Sequence, residues 1–106
     1  MLQGIPLRIE VAAPDATTVA LALSGDLDHA SVPQLTALAF AEGYRRIDVD
    51  LSALTFIDSS GLAALVRLQQ RAAAAQAVVH LVALTPYLRG LLAMTAVDRI
   101  FILPPG

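Results

Sequence analysis

The sequence predicts an α/β fold: a small mixed sheet of four to five strands packed with helices, in the order β-β-α-β-α-β-α-(β). Three observations carry this. Two short apolar–polar stretches sit side by side near the N-terminus with a turn signal between them. Two later β-branched, apolar stretches are each followed by a leucine/alanine segment with helical spacing. Each of the three helical segments opens on residues suited to a helix start: Ser31-Val32-Pro33, Asp58-Ser59 and Thr85-Pro86. A chain of 106 residues holds one domain, read as 1–106, and can bury a core without disulfide or metal staples.

The elements follow in order. Leu7-Arg8-Ile9-Glu10-Val11 alternates as a strand with one wet face does. Pro14-Asp15 marks a turn, and Thr17 to Leu23 is the second strand, stopping at Ser24-Gly25. The brief link makes these an antiparallel hairpin. Ser31 is the expected N-cap of a first helix, with Leu35, Leu38, Ala39 and Glu42 on its inner face and Gly43 as its stop.

Arg46 to Leu51 is the third strand. The second helix runs from Ser59 to about Ala75, with Leu62, Leu65, Val66 and Leu68 inward and Arg67, Gln70 and Arg71 outward. Ala77 to Leu84 is nearly continuous in apolar residues, the pattern of a central parallel strand. Leu88, Leu91 and Leu92 face inward from the third helix, and Ile100 to Leu103 is a short last strand. The βαβ units call for right-handed crossovers and a parallel core. Ligands of such sheets meet the strand C-termini, so the Gly25–Ser31 loop and the Asp58-Ser59 junction share a candidate edge.

Composition excludes several classes. With no cysteine there is no disulfide and no thiolate metal site. The two histidines, His29 and His80, lie far apart, and metal-ligand spacing is absent. Net charge is −2, and all seven basic residues are arginines with no cluster beyond Arg45-Arg46, unlike the basic stripe of a nucleic-acid binder. Met1 to Pro6 lacks a basic n-region and an apolar h-region, and no apolar run reaches spanning length. The expectation is a soluble, cytoplasmic protein with no direct membrane insertion and no cofactor, a monomer or weak dimer.

The chemistry concentrates in Phe56-Ile57-Asp58-Ser59-Ser60-Gly61-Leu62. A strand runs out at Asp58, whose carboxylate can cap the orphan amides of the next helix. Ser59 and Ser60 fall in the first turn, where the macrodipole favours negative charge. A phosphoryl group there would add about −1.5 to −2 charges beside Asp58, giving a charge switch on a rigid surface. From the tetrapeptide alone, ordinary capping is the plainer reading.

Other clusters are weaker. Asp26 and Asp28 match no calcium loop, and no third ligand lies nearby, so a solvated loop or partner contact is expected. His80 is expected to be a satisfied core histidine. Ser59, His29 and Asp28 do not read as a hydrolytic triad: Gly-x-Ser-x-Gly is missing, and Asp28 and His29 are sequence neighbours. No enzyme activity is expected.

The flanks change the weighting at the serines. Asp50-Leu51-Ser52-Ala53-Leu54-Thr55-Phe56-Ile57-Asp58-Ser59-Ser60-Gly61-Leu62-Ala63-Ala64-Leu65 resembles the signature of STAS domains, the sulphate-transporter and anti-sigma-factor-antagonist family. Ser24-Gly25-Asp26-Leu27-Asp28-His29-Ala30-Ser31 resembles the family's Gly-Glu-Leu-Asp loop, with Asp26 in place of Glu. Leu91 to Val97 resembles the family's last helix terminus, with Ala96 where glycine is usual. That alanine implies a helix end without its left-handed cap, since the conformation costs alanine about 1 kcal/mol relative to glycine.

The resemblance, over about residues 7 to 103, implies a protein–protein switch of the anti-anti-sigma type. The unphosphorylated domain would bind a serine/threonine kinase that doubles as an anti-sigma factor, freeing a sigma factor. Phosphorylation of the serine after the aspartate, here Ser59, would break the complex, and a PP2C-type phosphatase would restore it. Asp26, Asp28, Asp58, Ser59, Ser60, Gly61 and Arg67 are then the partner-binding residues, with Gly61 permitting close approach and Ser60 a structural residue of the first turn. The alternatives are a STAS subunit docking on the ATPase of a membrane lipid-transport (ABC-type) complex and a scaffold component of a stress-signalling assembly.

Overall fold

The computed structural model describes residues 4–105; Met1–Gln3, part of the stretch read for a leader, and Gly106 lie outside it. Strands β1 (Arg8–Asp15), β2 (Thr18–Leu27), β3 (Arg46–Ile57) and β4 (Val78–Ala83) form one sheet in the order β1-β2-β3-β4. The β1–β2 hairpin is antiparallel, while β2–β3 and β3–β4 are parallel. Helices α1 (Val32–Thr36) and α2 (Ser59–Ala74) connect β2 to β3 and β3 to β4, α3 (Pro86–Met94) follows β4, and a 3₁₀ turn spans Val97–Ile100. The mixed α/β architecture is the expected one.

Alternation along the central strands explains the layering. Val19, Leu21, Leu23, Gly25 and Leu27 of β2 and Ile47, Val49, Leu51, Leu54 and Ile57 of β3 are buried, whereas the residues between them are half-buried or exposed. One sheet face therefore meets the helices and the other meets solvent. Leu65, Leu68 and Ala72 of α2, Leu35 of α1, and Leu88 and Leu92 of α3 join the core, with Val79 and Leu81 of β4 and Phe101.

Several expectations are corrected. β4 is an edge strand of the sheet, flanked among the described residues by an isolated parallel bridge from His80 to Ile102. Val78 and Val82 remain 45% and 41% exposed, so its unbroken apolar run reflects an edge with one covered face. His80 is half-buried on the open face, in register with Asp48, and is not a core residue. Only Ile102 of the expected last strand makes a bridge, because the chain before it is coiled in the 3₁₀ turn.

The first helix is the largest difference. It ends after five residues, with Leu35 its one buried side chain. Ala39 and Glu42 are exposed, while Leu38, Phe40 and Tyr44 reach the core from irregular chain. Phe40 packs edge-on to Tyr44 at 5.5 Å, and the Arg71 guanidinium lies 4.4 Å above the Phe40 ring. A short helix is marginal alone, and aromatic anchoring outside a helical stripe outweighs its propensity. Gly43, at φ +87°, turns the chain into β3 and does not end the helix.

Helix ends also depart from glycine rules. Gln76 takes φ +59° after α2, and the Gln76 and Ala77 amides bond back to the Ala73 and Ala72 carbonyls. This is a Schellman closure built without glycine. Ala96 likewise takes the left-handed conformation at φ +59° after α3, so the cap expected to be lost is present. Its exposed methyl meets little there, and the cost stays near the intrinsic ~1 kcal/mol.

Candidate functional site

Two strand–helix junctions lie side by side where β2 and β3 end. The backbone N–H of Asp58 donates to the Leu27 carbonyl at 3.3 Å. Asp58 Oδ1 accepts from the Gly61 amide at 2.8 Å, which makes it the side-chain cap of α2. Asp58 Oδ2 accepts from the His29 amide at 3.1 Å. One carboxylate thus caps a helix and ties down the neighbouring loop. The Gly61 amide, first, and then the amides of His29 and Ser60 and the nearby imidazole hold the Asp58 carboxyl below the usual carboxylate range, against a smaller opposing effect of burial.

Gly61 shows why the junctions sit so close. A Cβ at this position would press on the Leu27 carbonyl and on the Leu27 and Ile57 side chains. Gly61 is buried, so the close approach it permits is that of α2 to the chain's own β2, not that of an outside partner.

The serines after Asp58 stand differently. Ser59 is exposed and Ser60 half-buried, and among the described residues no internal hydrogen bond engages either hydroxyl. They line a depression of about 390 Å³ with His29, Val32, Pro33, Ala63 and Arg67. Ser60 was expected to be structural, yet its side chain holds nothing in place. Arg67, two turns along α2, belongs to this depression as expected of a surface residue beside the serines.

Asp26 and Asp28 face a neighbouring hollow, lined also by Gly4 to Leu7, Ala30, Ser31 and Gln34. Asp26 Oδ1 accepts from the Thr55 hydroxyl at 2.6 Å, and Oδ2 from the Ile5 amide at 3.0 Å. The Asp26 amide returns a bond to the Ile5 carbonyl at 2.9 Å. Gly25, at φ +85°, lets the segment through Pro6 cross directly over the backbone. Asp26 is therefore a latch for the chain before β1. Asp28 Oδ1 accepts from the Ser31 amide at 3.0 Å, while the Asp28 amide donates to Ser31 Oγ at 2.9 Å. Both carboxylates are committed internally, and they shape the edge next to Ser59 without joining its depression.

Ser31 is the residue that sequence reasoning misplaced. Its backbone is helical and its side chain caps nothing in α1. The hydroxyl is buried, donating to the Asp26 carbonyl at 2.9 Å and accepting from the Asp28 amide. The signal was present in the Asp28-x-x-Ser31 spacing, which suits reciprocal side chain–backbone bonding. Thr55, 29 residues from Asp26, carried no local signal. Among the described residues no group of His, Asp or Glu is placed to hold a metal ion, and no helix is long and apolar enough to cross a membrane.

The fold and this edge define a class: a small, mixed α/β module with a free hydroxyl at a strand–helix junction, of the architecture seen in anti-sigma-factor antagonists. The chain belongs to the STAS domain family, since the family model described as "Mlab, STAS domain" matches residues 10–104. No curated protein matches the chain. Among solved structures, an anti-sigma-factor antagonist from Mycobacterium paratuberculosis is similar at 25% identity and TM-score 0.76, over 94% of this chain and 86% of that one. The anti-sigma factor antagonist SpoIIAA in its unphosphorylated form is similar in fold at 22% identity and TM-score 0.74, over 92% of this chain and 89% of that one. The murine anion transporter Slc26a9 shares the fold at 14% identity and TM-score 0.64; the match covers 96% of this chain and 21% of the transporter.

Proposed function

We propose that the chain is an anti-sigma-factor antagonist, a cytoplasmic, non-catalytic switch that acts through protein contact. In this reading the unphosphorylated form binds an anti-sigma factor serine kinase and frees a sigma factor. Phosphorylation of Ser59 reverses this, and a PP2C-type phosphatase resets it. The observation that carries the reading is the exposed Ser59 hydroxyl, unbonded among the described residues, beside an Asp58 carboxylate whose two oxygens are both tied down. Such a hydroxyl can be modified without unfolding its surroundings, and the added charge and bulk would spoil a close interface. Asp58, with both oxygens occupied by amides, is an anchor in this scheme and not a base.

The test is incubation with a cognate serine kinase and ATP, followed by phosphosite mapping and kinase binding. Phosphate is expected on Ser59. Ser59→Ala should bind the kinase constitutively, and Ser59→Asp should bind weakly. Phosphate elsewhere, or undiminished binding by Ser59→Asp, would count against the reading.

A second reading is supported by the description of the matching family model: a STAS subunit docking on the ATPase of a membrane lipid-transport complex of the ABC type. Co-purification with such an ATPase in place of a small kinase would favour it.

A further inference from the structure

Arg67 lines two depressions at once. One is the serine depression, with Ser59, Ser60, Ala63 and His29. The other is an apolar notch of about 290 Å³, with Leu35, Leu68 and Arg71. Arg71 is engaged over the Phe40 ring, whereas among the described residues no carboxylate pairs with Arg67. An exposed arginine without a carboxylate partner among the described residues is a side chain that a new charge can move.

A phosphate on Ser59 would be that charge, about −1.5 to −2 placed beside the Asp58 carboxylate. Two of the fixed donors at the junction are already used: the Gly61 and His29 amides both bond to Asp58. The repulsion from Asp58 is therefore not relieved by these amides. Ser59, Ala63 and Arg67 follow one another at four-residue intervals along one face of α2. The eight residues from Ser59 to Arg67 span about 12 Å along the axis, and helical side chains lean toward the N-terminus. The small Ala63 side chain leaves the way between them open. Arg67 thus shares one helix face and one depression with the serine; Asp58 and His29 are the other ionisable groups beside it.

We propose that Arg67 is the internal receiver of a phosphate on Ser59, and that its guanidinium leaves the rim of the Leu35–Leu68 notch when it pairs with that phosphate. The proposal rests on Ser59 being the modified residue. Modification is then read at two places on one rigid surface: negative charge arrives at the junction, and a cation departs from the notch. A partner docked over both would lose an arginine contact as well as meet a phosphate, with no change in backbone.

The test uses the full chain with phosphoserine installed at position 59 during translation, so that it does not depend on any kinase accepting Ser59. The phosphate is titrated by phosphorus NMR. Arg67→Gln should raise its second pKa by about 0.2–0.7, the size of a surface ion pair, and Arg71→Gln should leave it in place. The Leu35 and Leu68 methyl resonances should shift between the unmodified and phosphorylated forms of the parent chain, and not between those of Arg67→Gln. A phosphate that titrates alike in the parent and in Arg67→Gln, or that responds equally to Arg71→Gln, overturns the pairing. Methyl resonances indifferent to the phosphate in the parent chain overturn the movement. Failure of a kinase to modify Ser59 would instead count against the function proposed above, and leaves these readouts unaffected.

Discussion

Ser31 and Ser59 occupy neighbouring junctions at the same sheet edge and have opposite fates. Ser31 is buried and its hydroxyl both donates and accepts, closing the loop after β2. Ser59 is exposed and its hydroxyl is unengaged among the described residues. The difference comes from the aspartates. Asp58 supplies the cap of α2 by itself, which leaves the serine after it with no structural duty. Asp28 bonds the Ser31 amide but needs a hydroxyl in return for its own. A serine near a helix start is available for chemistry only when another residue has done the capping.

Four substitutions break or sharpen this contrast, and urea unfolding midpoints check each. The largest effect is expected from Gly61→Ala, which forces a methyl against the Leu27 carbonyl that joins the two junctions. Backbone cannot yield as a flexible side chain does, so a loss of about 2–3 kcal/mol is expected despite alanine's better helix propensity. Ser31→Ala should cost about 1–2 kcal/mol, because it strands the half-buried Asp28 amide and Asp26 carbonyl.

Asp58→Ala should cost about 1 kcal/mol as a lost cap, and its effect should depend on pH. The native carboxyl is held below its ordinary value of 3.8, so its contribution is complete well above that value. The contribution is lost as pH falls below 3.8 through the lowered native value, and the gap between parent and variant should narrow there. Smallest is Ser59→Ala, expected within about 0.5 kcal/mol of the parent. A Ser59→Ala loss as large as that of Ser31→Ala would erase the contrast.

Much of this was legible in the sequence where one residue type has one physical use. The antiparallel pairing of the hairpin, the Asp58 cap, α2 and the Thr85-Pro86 start of α3 lie as read, because capping and periodicity are local, whereas β1 runs on through Pro14-Asp15, β2 through Ser24-Gly25 to Leu27, and β3 past Leu51 to Ile57. The length of α1 was not legible: Phe40 and Tyr44 reach the core outside any helical stripe, and that is a tertiary outcome. The edge position of β4 was hidden for a similar reason, since an apolar strand reads alike whether one face or both are covered. Within the site, Arg67 was legible from the helix repeat as an outward residue of α2, whereas the bond from Thr55 to Asp26 depends on the pairing of β3 with β2. Gly61 was read as room for a partner, and only the packing of α2 on Leu27 shows whose backbone fills that room.

The outer edge of β1 has a consequence for how molecules of this protein meet one another. An unpaired strand edge is a template for recruiting a second sheet and, through it, aggregates. Here that edge carries Arg8, Glu10 and Asp15, all exposed, and Pro14 removes one amide from it. Register slips between Ala12 and Asp15 further disturb its regularity. Charge, a missing donor and a local kink all guard the same eight residues, and each disfavours the addition of a further strand on that side.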